Sequence, residues 1–180
     1  MTTTTYTIPL GDLRKGIETI LARKDGADYV QKLLDEAHKL FANNNPHIST
    51  FWDGFEKISN AGGYRLVSDS DDISLRNMNG GSVRGDLFAN GEKPGTVYLA
   101  RFRQFDLPTA KVIAAAQASY AYRALHETFH LARRYGYTDE QMARAGYSIA
   151  GKVPPNYAPT DILNWSARFD DFLGKHCPKE

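Results

Sequence analysis

Between Asp12 and Arg23 the apolar residues Leu13, Ile17, Ile20 and Leu21 recur at the three- and four-residue steps of one helical face, and Asp25-Gly26 closes the segment. A second stripe, made by Tyr29, Val30, Leu33, Leu34, Ala37, Leu40 and Phe41, predicts a helix from about Ala27 to Ala42. The run Asn43-Asn44-Asn45-Pro46 breaks it. Phe51, Trp52, Phe55 and Ile58 predict a short third helix after Ser49. The texture then changes. Tyr64 to Val67, Ile73 to Leu75, Val83 to Ala89 and Thr96 to Phe102 are short segments bounded by Gly, Asn and Asp, the pattern of strands and hairpins, with a turn at Asn90-Gly91.

The longest helical pattern follows, from about Thr109 to Arg134, rich in Ala and free of Gly and Pro, with Gly136 at its end as the expected cap. Thr138 or Asp139 is placed to start a further helix through Tyr147, and Pro159-Thr160-Asp161 to start a last one through Leu173. Helices, then strands, then helices predict an α+β fold. Its expected parts are N-terminal helices, a small antiparallel sheet, and one long helix followed by C-terminal helices.

At 180 residues this is expected to be a single domain, with residues 1–10, Thr-rich at the start, as a flexible leader. That opening has neither the basic nor the apolar region of a secretory signal, which leaves localisation open, with a secreted or exported mature form, or a piece of a longer chain, still compatible with it. The charges nearly cancel, 22 Lys+Arg against 21 Asp+Glu, which argues against a nucleic-acid partner bound through its phosphates. No apolar run approaches the length of a membrane span. The single cysteine, Cys177, cannot form an internal disulfide.

Position, rather than count, singles out two of the five histidines. The long helix carries His126-Glu127-Thr128-Phe129-His130, and at 3.6 residues per turn the two imidazoles project from one face. Both can reach a single zinc ion at about 2.0–2.1 Å. Glu127 lies about 100° round the helix from His126, placed to take a proton from a water on the ion. Apart from the His-Glu-His trio, every residue from Ala124 to Ala132 is uncharged, as suits a helix buried behind such a site. A hydrolytic zinc needs a third protein ligand and an open position. Gly136 can reverse the chain beyond the helix, and the first carboxylate then delivered is Asp139; Glu140, Asp161, Asp170 and Asp171 are the competing carboxylates. His176 beside Cys177 is read as part of a flexible C-terminal tail, and His38 and His47 as ordinary histidines.

The H-E-x-x-H helix with an Asp nine residues beyond its second His resembles the aspzincin group of zincin metallopeptidases, the relatives of deuterolysin and peptidyl-Lys metalloendopeptidase. In that group the Asp lies in a G-T-x-D-x-x-Y-G motif. Here Gly136 and Asp139 match it, while Tyr137, Met142 and Ala143 stand where the motif has Thr, Tyr and Gly. The resemblance covers His126 to Asp139. It implies a zincin-like fold around Zn²⁺ held by His126, His130 and Asp139, with Glu127 as catalytic base in a hydrolase that cuts a peptide or protein substrate.

With the motif tyrosine replaced, Tyr135, Tyr137 and Tyr147 are the candidates for stabilising the transition state, and Thr96 to Phe102 is the candidate strand for binding an extended peptide. The incomplete motif also keeps open a metal-binding module that holds peptides without cutting them, or an effector domain that uses the same chemistry on one target. Asp69, Asp71 and Asp72 lack the Gly and closing Glu of a calcium loop and read as a solvated turn.

Overall fold

A computed structural model of the chain describes residues 5–7, 10–41, 50–61, 64–68, 82–83, 97–102, 121–122, 124–130 and 136–178. Six helices dominate the described residues. The first three are α1 (Leu10–Leu21), α2 (Gly26–Phe41) and α3 (Phe51–Ala61), each within a few residues of the span its apolar stripe predicts. Then come α4, through residues 121–122 and 124–128, followed by α5 (Asp139–Ala150) and α6 (Ile162–His176).

The stripes face one another. Leu13 and Ile17 of α1, Leu33 and Ala37 of α2, Phe51 and Phe55 of α3, Met142 and Ala145 of α5 and Trp165, Phe169 and Leu173 of α6 join one core. Into it runs α4. From Ala124 to Phe129 no side chain is more than 6% exposed, so this helix is enclosed on all sides, as its uncharged flanks require. Helix α5 packs against both α2 and α6.

The α+β expectation, with an antiparallel sheet as a structural layer, does not hold: the body is helical, and its described core comes from helices and the turns that end them. The helical stripes are wide enough to bury one another. Among the described residues four short strands, β1 (Thr5–Thr7), β2 (Tyr64–Ser68), β3 (Ser82–Val83) and β4 (Val97–Phe102), pair in the order β1-β2-β4-β3. Even here β2 and β4 run parallel. Turn residues and alternation mark a strand, but they do not choose its partner or direction. Thr5–Thr7, within the segment expected to be a leader, pairs with β2. The Asn90-Gly91 turn, the segments 69–81 and 84–96, and residues 109–120 of the long predicted helix lie outside the described residues.

Local signals explain the helix ends. Thr50 accepts from the backbone N–H of Asp53 at 3.1 Å and starts α3. Thr138 and Gln141 form a reciprocal capping box at the start of α5. Gly151, at φ 66°, ends α5, with its N–H on Ser148 O and that of Lys152 on Tyr147 O.

His176 to Pro178, expected to belong to a flexible tail, are anchored. His176 stacks on Tyr29 with ring centroids 3.6 Å apart and pairs with Asp25 at 2.9 Å. Arg23 donates to Pro178 O at 2.9 Å. Cys177 is fully buried against Gly26, and burial pushes its thiol up to about 12, which makes it an inert core residue.

Helices α5 and α6 meet at Gly146, where an added Cβ would lie 2.5 Å from the Phe172 ring. Gly146→Ala is therefore expected to cost about 1–3 kcal/mol by overpacking. Urea denaturation checks this as a lowered midpoint at unchanged slope; an unchanged midpoint would contradict the close approach.

Candidate metal centre

Helix α4 tightens as it ends. Phe129 N–H donates to His126 O and His130 N–H to Glu127 O, both three residues back, so the last turn is of the narrower 3₁₀ kind. The helix expected to reach Arg134 is thus already closing at His130, and residues 131–135 lie outside the described segments. The imidazoles of His126 and His130 still share one side, with ring centroids 5.0 Å apart.

Gly136 brings the chain back, by close approach rather than as a helix cap. A Cβ on it would lie 2.4 Å from the carbonyl carbon and oxygen of His130, a space that only glycine leaves free. Tyr137 N–H then donates to Phe129 O at 2.9 Å, and the Thr138 capping box launches α5 with Asp139 as its first residue. Gly136 to Thr138 thereby lead into Asp139, which lies against both histidines.

The three ligating atoms converge. Asp139 Oδ1 is 3.0 Å from Nε2 of His126 and 3.0 Å from Nε2 of His130, and the two Nε2 atoms are 3.1 Å apart. Donors about 2.0–2.1 Å from a tetrahedral ion lie roughly 3.4 Å apart, so this triangle is close to what one ion needs. His126, His130 and Asp139 can hold a metal ion. Two imidazoles and one carboxylate suit a borderline transition ion better than calcium or magnesium, which favour all-oxygen sites.

The outward edges of both rings are engaged as well. His126 Nδ1 donates to Asp170 Oδ1 at 2.6 Å, and His130 Nδ1 donates to the backbone carbonyl of Tyr137 at 2.6 Å. Each bond fixes the tautomer that leaves the Nε2 lone pair pointing into the triangle. Phe169 forms the apolar wall, its ring centroid 4.6 Å from that of His126.

The electrostatics match a cation. Burial opposes protonation of His126, but hydrogen bonds to Asp139 and Asp170 and the charge of Glu127 raise it to about 10. His130 is likewise raised, with the Asp139 carboxylate outweighing burial. Burial would also raise Asp139, yet the two imidazoles hold its carboxyl well below the usual range. Glu127 is 6% exposed, and its charge acts on both imidazoles.

The competing carboxylates are placed elsewhere. Glu140 lies 3.9 Å from Arg144, Asp161 accepts from Asn164 at 2.7 Å, and Asp171 pairs with Arg168 at 3.4 Å. Asp170 does fold back, but onto the far nitrogen of His126. Sequence reasoning reached this residue in the wrong role, because spacing along a chain does not say which ring edge a distant helix meets.

Among the tyrosines, the Tyr137 hydroxyl sits 3.2 Å from His38 Nδ1, and Tyr147 packs edge-on against Phe172. Tyr135, Arg133 and Arg134 lie outside the described residues. Strand β4 pairs along its length with β2 and, at Val97 and Tyr98, with β3, so among the described residues that end of the candidate peptide-binding strand is already paired on both sides.

Uptake of a metal ion by His126, His130 and Asp139 must compete with protons for the two imidazoles. Affinity should therefore rise with pH through the neutral range and fall on acidification, with net proton release. Calorimetric titration in buffers of different ionisation enthalpy measures this, and pH-independent binding would contradict it.

Comparison of the chain with protein-family models, with curated proteins and with solved structures finds no match in any of the three. The chemistry of the site rests on its residues and their geometry.

Proposed function

We propose that the chain is a zinc-dependent metallopeptidase, with His126, His130 and Asp139 as metal ligands and Glu127 as general base. The observation that carries this reading is the convergence of two Nε2 atoms and one carboxylate oxygen to within 3.1 Å, beside a buried Glu. Zinc bound there supplies Lewis-acid polarisation of a carbonyl and lowers the pKa of an attacking water.

The chain's own residues supply the rest. The Nδ1 hydrogen bonds of His126 and His130 keep both rings oriented with Nε2 inward. Glu127 follows the first ligand on α4, and its carboxylate accepts the proton of the attacking water and returns it to the leaving amine. Phe169 and the enclosed flanks of α4 keep the protein side of the site dry, which strengthens each of these interactions. A peptide bond suits this set: its carbonyl needs polarisation, and its amine leaves only when protonated.

The test uses the full chain and its Glu127→Gln variant. Both should take up zinc to about one equivalent by elemental analysis, while cleavage of unfolded protein substrates falls by at least about 10²-fold in the variant. Undiminished cleavage by Glu127→Gln would remove Glu127 from the mechanism. Zinc uptake with no cleavage by the unaltered chain would favour a module that binds peptides without cutting them.

A further inference from the structure

The Asp170 carboxylate reaches His126 from a helix 44 residues away in sequence, and two contacts set its register. The backbone carbonyl of Asp170 accepts from the Tyr122 hydroxyl at 3.1 Å, and its Oδ1 accepts from His126 Nδ1 at 2.6 Å. Tyr122 and His126 are one turn apart on α4, so a single residue of α6 grips successive turns of the metal-bearing helix. Its neighbour Phe169 lies against the His126 ring. Beyond it, α6 is held by the His176 pairing with Asp25, the stacking on Tyr29 and the bond from Arg23 to Pro178.

We propose that Asp170 is a positioning residue that clamps the tautomer of His126, and that the C-terminal helix is thereby a working part of the metal centre. The inference rests on the metal reading given above. His126 is only 2% exposed, so solvent has little access to replace an acceptor at Nδ1. Without one, the ring proton is free to move to Nε2, where it blocks the lone pair the ion needs. The two histidines differ in this respect. His130 is clamped by a backbone carbonyl that no side-chain substitution removes, whereas His126 depends on one replaceable carboxylate, which also adds a negative charge behind the ligand.

Asn is the discriminating substitution. It preserves the shape of Asp170, so a packing role would leave Asp170→Asn close to the unaltered protein. A tautomer clamp predicts the opposite, because an amide NH₂ turned toward Nδ1 favours the Nε2–H form. Zinc affinity of the full chain, measured by competition with a chromogenic chelator, should fall by about 10–100-fold in both Asp170→Asn and Asp170→Ala. Asp171→Asn, at the surface beside Arg168, should leave it unchanged.

A second measurement needs no variant. Long-range proton–nitrogen NMR of the zinc-loaded chain should show His126 protonated at Nδ1, with the metal-shifted nitrogen at Nε2. Zinc binding by Asp170→Asn as tight as that of the unaltered chain would overturn the clamp while leaving the metal centre intact, whereas a zinc-loaded His126 ring protonated at Nε2 would overturn the clamp and remove His126 Nε2 from the ligand set. A chain that takes up no zinc at all would overturn both together.

Discussion

Two imidazole nitrogens face each other at 3.1 Å while the opposite nitrogen of each ring is already engaged as a donor, and this constraint organises the protein around it. Neutral rings in that arrangement would set lone pair against lone pair, so the pair requires a positive charge between or on them. The Asp139 oxygen, 3.0 Å from both, completes the demand for a cation. The raised His126 and the depressed Asp139 express that demand in protons, and a metal ion with the same three ligands meets it more fully.

Holding such an arrangement inside a protein has a structural consequence. The groups that repel one another must be fixed by elements that cannot relax, and each contact to the site comes from a different part of the bundle. Helix α4 brings the two histidines and is enclosed on all sides. The close approach at Gly136 and the Thr138 capping box bring Asp139. Helix α6 brings Asp170 and Phe169, and is itself tied to the turn between α1 and α2 through Asp25 and to α2 through Tyr29. Among the described residues, the helical core acts as the frame that keeps these groups in place.

Much of this was legible in the sequence where the signal is local. The stripes Leu13-Ile17-Ile20 and Tyr29-Leu33-Ala37 recovered the first two helices because helical periodicity is read over a few turns. The spacing of His126 and His130 put both on one face, and Thr138 was one of two candidate starts of α5, while the helix runs past the expected Tyr147 to its cap at Gly151. Gly136 was recognised as the point where the chain turns back, though its role is close approach to His130 rather than capping. Long-range relations were not legible. Turn residues between Gly62 and Phe102 suggested hairpins, yet β2 pairs in parallel with β4, and the core is helical. Asp170 looked like one of several spare carboxylates, since only the folded chain shows that it meets Nδ1 of His126 rather than the ion. His176 looked like part of a loose tail, since nothing local announces a stack on Tyr29.

The most direct measurement is zinc K-edge X-ray absorption on the zinc-loaded full chain at neutral pH. The centre described here predicts two imidazole nitrogens with their outer-ring scattering, and carboxylate and solvent oxygens, all at about 2.0–2.2 Å, with no sulfur. A sulfur scatterer at about 2.3 Å, which would bring in Cys177, or a zinc environment without two imidazoles, would contradict it.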